Sequence, residues 1–138
     1  MDSVKENQTK KEYLKQYGES KKAIKTIDIQ IKEVNTCDVQ SGVYINTLGN
    51  KHAETDLSDY MEKKEKLIRN LIKERTNWIN ISSEIYGSIN ELDNEDEKQV
   101  LTLRYISGMK WEDIAKEMHI EWAQLHRIHS RALKNLKI

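Results

Sequence analysis

The sequence predicts an all-α fold: a long antiparallel helical hairpin, coiled-coil-like, followed by a C-terminal helix-turn-helix. Three observations carry this prediction. The 138 residues include no Pro, no Phe and only 5 Gly, and 33% are charged, which favours long helices with solvated faces. Apolar residues recur at heptad spacing through the first two thirds of the chain. The last forty residues read as three short amphipathic helices with a tight turn between the last two.

From about Lys10 to Val34 the apolar positions are Tyr13, Tyr17, Ile24, Ile27, Ile31 and Val34, with Ser20 in the gap, so one helix with a heptad seam is expected. Residues 35–55 lose this periodicity and contain Gly42, Gly49, Asn46 and Asn50, which predicts a connecting loop. Val43 to Ile45 suits a short extended piece within it. Asp56 is a suitable N-cap for a second helix from Leu57 to about Ile89. Leu57, Lys64, Leu71, Trp78, Ile85 and Leu92 recur every seven residues, with Tyr60, Leu67 and Ile81 as partner positions. Ile68, Ile72, Ile79 and Ile89 widen the stripe beyond what a two-stranded seam needs, which points to a bundle or a dimer. Leu57, Leu67, Leu71, Trp78, Ile81 and Ile85 are therefore the candidate hairpin or dimer seam. Asp93 or Asn94 caps the next helix, and a boundary there divides the chain into a hairpin or dimerisation region, 1–92, and a DNA-binding helix-turn-helix, 93–138.

In the C-terminal part, helix A spans about Glu95 to Ile106 and ends at Ser107-Gly108, where Gly can take a left-handed cap. Helix B spans about Lys110 to Met118, with Trp111, Ile114, Ala115 and Met118 inward and Trp111 against helix A. His119, Ile120 and Glu121 form the turn, with Ile120 as its apolar plug. Helix C follows, with Leu125, Ile128, Ala132, Leu133 and Leu136 inward. From Trp122 to Ile138 there are four basic residues and no acidic ones, although the whole chain carries 23 basic and 23 acidic side chains. The acidic run Glu91 to Glu97 sits at the opposite end of the motif. That polarity favours one end of the domain approaching phosphate.

The stretch from Leu103 to Leu136 resembles region four of bacterial sigma factors. It resembles still more the small phage-encoded transcriptional regulators built on that module, of the RinA and ArpU late-activator type. The residues that carry the resemblance are Leu103-Arg104-Tyr105, Gly108, Asp113-Ile114-Ala115, Met118, Ile120, Arg127-Ile128, Arg131-Ala132-Leu133 and Leu136. It implies sequence-specific binding of double-stranded DNA and regulation of phage or prophage genes in the cytoplasm of a bacterial host. Two positions depart from the pattern: Glu121 stands where a small polar N-cap is usual, and the bulky Trp122 follows it. Glu121 can still accept backbone hydrogen bonds. Trp122 has a thymine methyl, a sugar or protein as packing alternatives.

On this reading Trp122, Gln124, His126 and Arg127 are the candidate base-reading residues, since Gln pairs with adenine and Arg with guanine in the major groove. Lys110, Ser130, Arg131 and Lys134 are the candidate phosphate contacts. Double-stranded DNA is the expected partner, with RNA polymerase as a further candidate and a homodimer as the expected assembly. Two other functions fit the same residues. One is an interaction module that binds RNA polymerase or another regulator through the coiled coil and the sigma-like domain. The other is a phage DNA-packaging accessory.

No catalytic set, phosphate-cradling Gly loop or nucleophile elbow is visible, so neither an enzyme nor a cofactor is expected. His119, His126 and His129 lack Cys or carboxylate partners for a metal, and polar surface or DNA contact is the reading for His126 and His129. Cys37 and His52 read as ordinary loop residues, and the single Cys suits a reducing compartment. No apolar stretch approaches a membrane span, and the polar N-terminus is not signal-like.

Overall fold

The structure is a computed structural model that describes the backbone of residues 2–48 and 51–138, and the side chains of residues 3–36 and 57–138. Helix α1 runs Asp2–Leu48 and α2 runs Lys51–Asn90. Helix α3 runs Glu95–Leu101 and passes into a wider π-helical turn, Thr102–Ile106. Helices α4, Trp111–Met118, and α5, Trp122–Asn135, complete the chain. The fold is all-α, a long N-terminal helical hairpin followed by a helix-turn-helix.

The connecting loop expected over 35–55 is replaced by helix up to Leu48 and again from Lys51, with residues 49 and 50 outside the described residues. Val43 to Ile45 is helical rather than extended, and Asp56 lies inside α2 rather than at its cap. Gly and Asn are only mild helix breakers, costing about 1 kcal/mol or less each, and the segment has no Pro to remove a backbone donor. The side chains of Cys37 and His52 lie outside the described residues.

Two compact units divide the chain: residues 1–21 with 79–138, and residues 22–78. Each shows α1 and α2 running antiparallel. In the first, Tyr13 Oη lies 3.4 Å from Ser88 Oγ. In the second, Arg75 Nε donates to Asp28 Oδ1 at 2.7 Å. On α1, Tyr13, Tyr17, Ser20, Ile24, Ile27, Ile31 and Val34 are all shielded from solvent, alternating by four and three. Ser20 is fully buried, and its hydroxyl donates to the Gln16 carbonyl at 2.7 Å.

On α2 the seven-residue track through Leu57, Lys64, Leu71, Trp78 and Ile85, and Leu92 in the turn that follows, is likewise shielded, as are Tyr60 and Ile81. Leu67 departs from this pattern and is 46% exposed. The second track runs one residue further on, through Ile68, Arg75, Ser82 and Ile89, which turns Leu67 by about 100° out of the seam.

In the first unit a division at 92/93 falls at the turn between α2 and α3, but the packing does not follow it. One apolar core joins Leu14 of α1 and Ile85, Ile89 and Leu92 to Leu101, Ala132, Leu133 and Leu136, with Tyr13, Tyr17, Ile81, Tyr105 and Ile106 around it. A second core joins Val100, Ile114, Leu125 and Ile128, with Leu103, Met109, Trp111, Ala115, Met118 and Ile120 packed against it. The sequence pattern singled out the inner face of α5 but not Leu14, which is wholly buried.

Polar groups tie the same pieces together. Asn94 caps α3, its side chain accepting from Glu97 N–H at 3.0 Å. The buried Glu97 carboxylate accepts from Asn135 Nδ2 at 2.9 and 3.2 Å, joining α3 to the end of α5. Lys10, only 7% exposed, donates to the Lys134 carbonyl in the last turn of α5 at 3.2 Å. Lys21 donates to the Ile106 carbonyl at the end of the π-helical turn at 3.1 Å. Both ammonium groups thus meet helix C-terminal carbonyls, the negative end of the helix dipole.

His129 is a correction to the expected polar surface. It is 5% exposed, its Nε2 lies 2.8 Å from Tyr105 Oη, and the Trp111 ring meets it edge-on at 4.7 Å. It falls four residues after Leu125 and four before Leu133, on the inward row of α5. Burial, with help from the charges of Lys11, His126 and Arg104, lowers its pKa from 6.5 to about 4. Burial raises the Tyr105 hydroxyl to about 12, against a smaller opposing effect of Arg104. Both groups are therefore neutral at neutral pH.

Two predictions follow from this packing. Leu14→Ala should destabilise the protein by about 2–5 kcal/mol, as other buried Leu truncations do, read from the urea midpoint. The second concerns pH. The unfolded chain binds a proton at His129 near pH 6.5 and the folded chain only near 4. The unfolded state is therefore favoured as pH falls between these values. Stability should be constant above about pH 6.5 with respect to this group and drop by on the order of 3 kcal/mol on the way to pH 4. Urea melts of the wild type and His129→Gln should diverge across that window, and parallel curves would contradict the assignment.

Candidate nucleic-acid interface

The turn between α4 and α5 is a Schellman-type cap. His119 takes the left-handed conformation at φ 55°. Its N–H reaches the Lys116 carbonyl at 3.3 Å, and Ile120 N–H reaches the Ala115 carbonyl at 3.1 Å. A non-Gly residue there costs about 1 kcal/mol. Ile120 packs into the second core, which fixes how α5 leaves the turn. Gly108 does the same service after the π-helical turn, at φ 71°, with Met109 N–H on the Leu103 carbonyl at 2.9 Å.

Helix α5 then divides cleanly. Leu125, Ile128, His129, Ala132 and Leu133 are buried. Ala123, Gln124, Arg127, Ser130, Arg131 and Lys134 are exposed and share the opposite face, at three- and four-residue spacings. Gln124, His126, Arg127, Ser130 and Arg131 line one surface depression. No acidic residue lies on α5. Lys110, the N-cap residue of α4, is exposed as well. The structure thus brings Gln124, Arg127, Ser130, Arg131 and Lys134 onto one basic and polar face.

Trp122 and His126 lie on the flank of that face. Trp122 is 53% exposed, whereas His126 is half-buried. The His126 ring stands 4.5 Å from Trp122 and 5.3 Å from Trp111, centre to centre. Beyond Trp111, the Arg104 guanidinium sits 4.6 Å from its ring centre, a cation–π contact. Arg104 also donates to the Met109 carbonyl at 3.0 Å, which holds it there. Sequence periodicity gave no sign of Arg104 in this role, because its partner Trp111 belongs to another helix. Glu121 occupies the N-cap of α5 but its side chain accepts no capping hydrogen bond.

Among the described residues no group of His, Cys, Asp and Glu is placed to hold a metal ion. Among the same residues no helix is long and apolar enough to cross a membrane.

Residues 84–136 match the family model of sigma-70, region 4. The match covers less than half of the chain and begins inside α2, before the turn at residues 91–94. No curated protein and no solved structure matches the chain. The matched segment contains the end of α2, α3, the left-handed turn and the exposed basic face of α5. Residues 84–136 are a sigma-70 region 4-like helix-turn-helix domain, a non-catalytic module of the kind that binds DNA through the major groove.

Proposed function

We propose that this protein is a sequence-specific transcriptional regulator of phage or prophage genes, of the RinA and ArpU type, working in the cytoplasm of a bacterial host. The observation that carries this reading is the exposed face of α5, cationic and free of carboxylates, on a sigma-70 region 4-like domain. Gln124 and Arg127 face the base edges, where Gln suits adenine and Arg suits guanine. Arg131, Ser130 and Lys134 further along the helix, and Lys110 at the start of α4, meet phosphates and set the register.

A homodimer is part of the proposal. Its support is apolar surface left open on α2: Met61, Leu67 and Ile72 in one compact unit, Ile79 and Tyr86 in the other, each 38% exposed or more. Leu71 and Ile85 are buried within the chain itself and are not available to a partner. The same open residues favour a second reading, in which the chain is an interaction module acting on RNA polymerase or another regulator. DNA separates the two, since phosphate contacts make affinity fall steeply with salt.

Duplexes recovered from a random-sequence pool by the full chain should bind with a strong salt dependence. Arg127→Ala should weaken binding to the recovered sequence by about 1–3 kcal/mol and relax its preference. Lys134→Ala should weaken all duplexes alike and lower the salt slope by about 1. Absence of binding at low salt would overturn the DNA reading in favour of the interaction module. In sedimentation, the wild type should be dimeric and Ile79→Lys should shift it towards monomer. A monomeric wild type removes the dimer.

A further inference from the structure

Arg104, Trp111, His126 and Trp122 form a continuous ladder drawn from the π-helical turn, α4 and α5, with successive separations of 4.6, 5.3 and 4.5 Å. Its last member is the first residue of α5 and leaves half of its indole in water. The ring is therefore placed by His126 without being buried. An indole offers a broad apolar edge and a single N–H donor. The first residues of a groove-entering helix are those that reach base edges. In the major groove the apolar feature of the four bases is the C5-methyl of thymine.

We propose that Trp122 is a specificity-determining residue that reads the thymine methyl group, and that His126 is a positioning residue that holds the indole for it. The proposal rests on the reading that α5 enters the major groove. It gives His126 a role other than base contact, which fits a ring flanked by two indoles. It also accounts for a bulky residue beside an N-cap, Glu121, whose side chain makes no capping hydrogen bond. The contact is made of apolar surface alone and adds no hydrogen bond to those of Gln124 and Arg127.

The test uses the full chain and duplexes recovered from a random-sequence pool, with each thymine replaced in turn by uracil, which removes only the methyl. At one position uracil should weaken binding by roughly three- to tenfold. Trp122→Ala should bring that thymine-to-uracil ratio to about one. His126→Ala should lower the ratio while His126→Phe, which keeps a ring between the two indoles, should retain it. A general loss of folding would weaken both duplexes equally and leave the ratio unchanged, so the ratio isolates the positioning role. If no position distinguishes thymine from uracil, yet binding stays salt-dependent and sensitive to Arg127→Ala, the thymine inference falls and the DNA reading stands. An unchanged ratio in His126→Ala removes the positioning role. If no duplex binds, both readings fall together.

Discussion

Helix α5 is buried in two different cores, and the geometry of the outward face depends on that division. Its first half, through Leu125 and Ile128, belongs to the core shared with Val100 and Ile114. Its second half, through Ala132 and Leu133, and its C-cap residue Leu136 belong to the core shared with Leu14, Ile85 and Ile89. A helix held at one end only can rotate or fray, because a single contact leaves its axis free to pivot. Held at both ends, it presents Gln124, Arg127 and Arg131 at fixed angles about its axis. Apolar contact sets the position, and the polar ties then select the register.

The buried polar groups show how that selection works. Lys10, Ser20, Glu97 and His129 are the buried polar residues among those described, and each has a partner in hydrogen-bonding reach. Removing one member of such a pair leaves the other desolvated and unsatisfied, at a cost of about 1–3 kcal/mol. Three of the four partners lie on another helix: the Lys134 carbonyl, Asn135 and Tyr105. A sliding of α5 by one turn would strand all three. The neutral state of the Tyr105–His129 pair belongs to the same logic, since a charge on either ring would be desolvated and a charged His129 would also be close to Arg104.

The hairpin and the helix-turn-helix were legible wherever burial repeats along one helix. The track from Leu57 to Leu92, the inner row of α5, Gly108 and the Ile120 plug were all visible as spacing. What was missed depends on contacts between distant segments. Leu14 lies next to the heptad position Tyr13, and it becomes core in a cluster with Ile85, Ile89, Leu101, Ala132, Leu133 and Leu136 from distant segments. Lys10 reads locally as one of many solvated lysines, and its carbonyl partner lies 124 residues away. His129 is polar by type, although its four-residue spacing from Leu125 and Leu133 was the signal that could have placed it inward. Residues 35–48 and 51–55 are helical despite their Gly and Asn, which mark turns only when nothing else favours helix. At the candidate interface the sequence identified the exposed face of α5. The ladder behind Trp122 was hidden, because its four members come from three elements.

The lysine caps have a consequence for inheritance. The sigma-like segment begins at residue 84, but its final helix is completed by Lys10 and Leu14 of α1. A recombination event that moved only the segment encoding residues 84–136 would deliver a helix-turn-helix with an uncovered apolar face. For this module to be inherited intact, the segment that encodes α1 must travel with it.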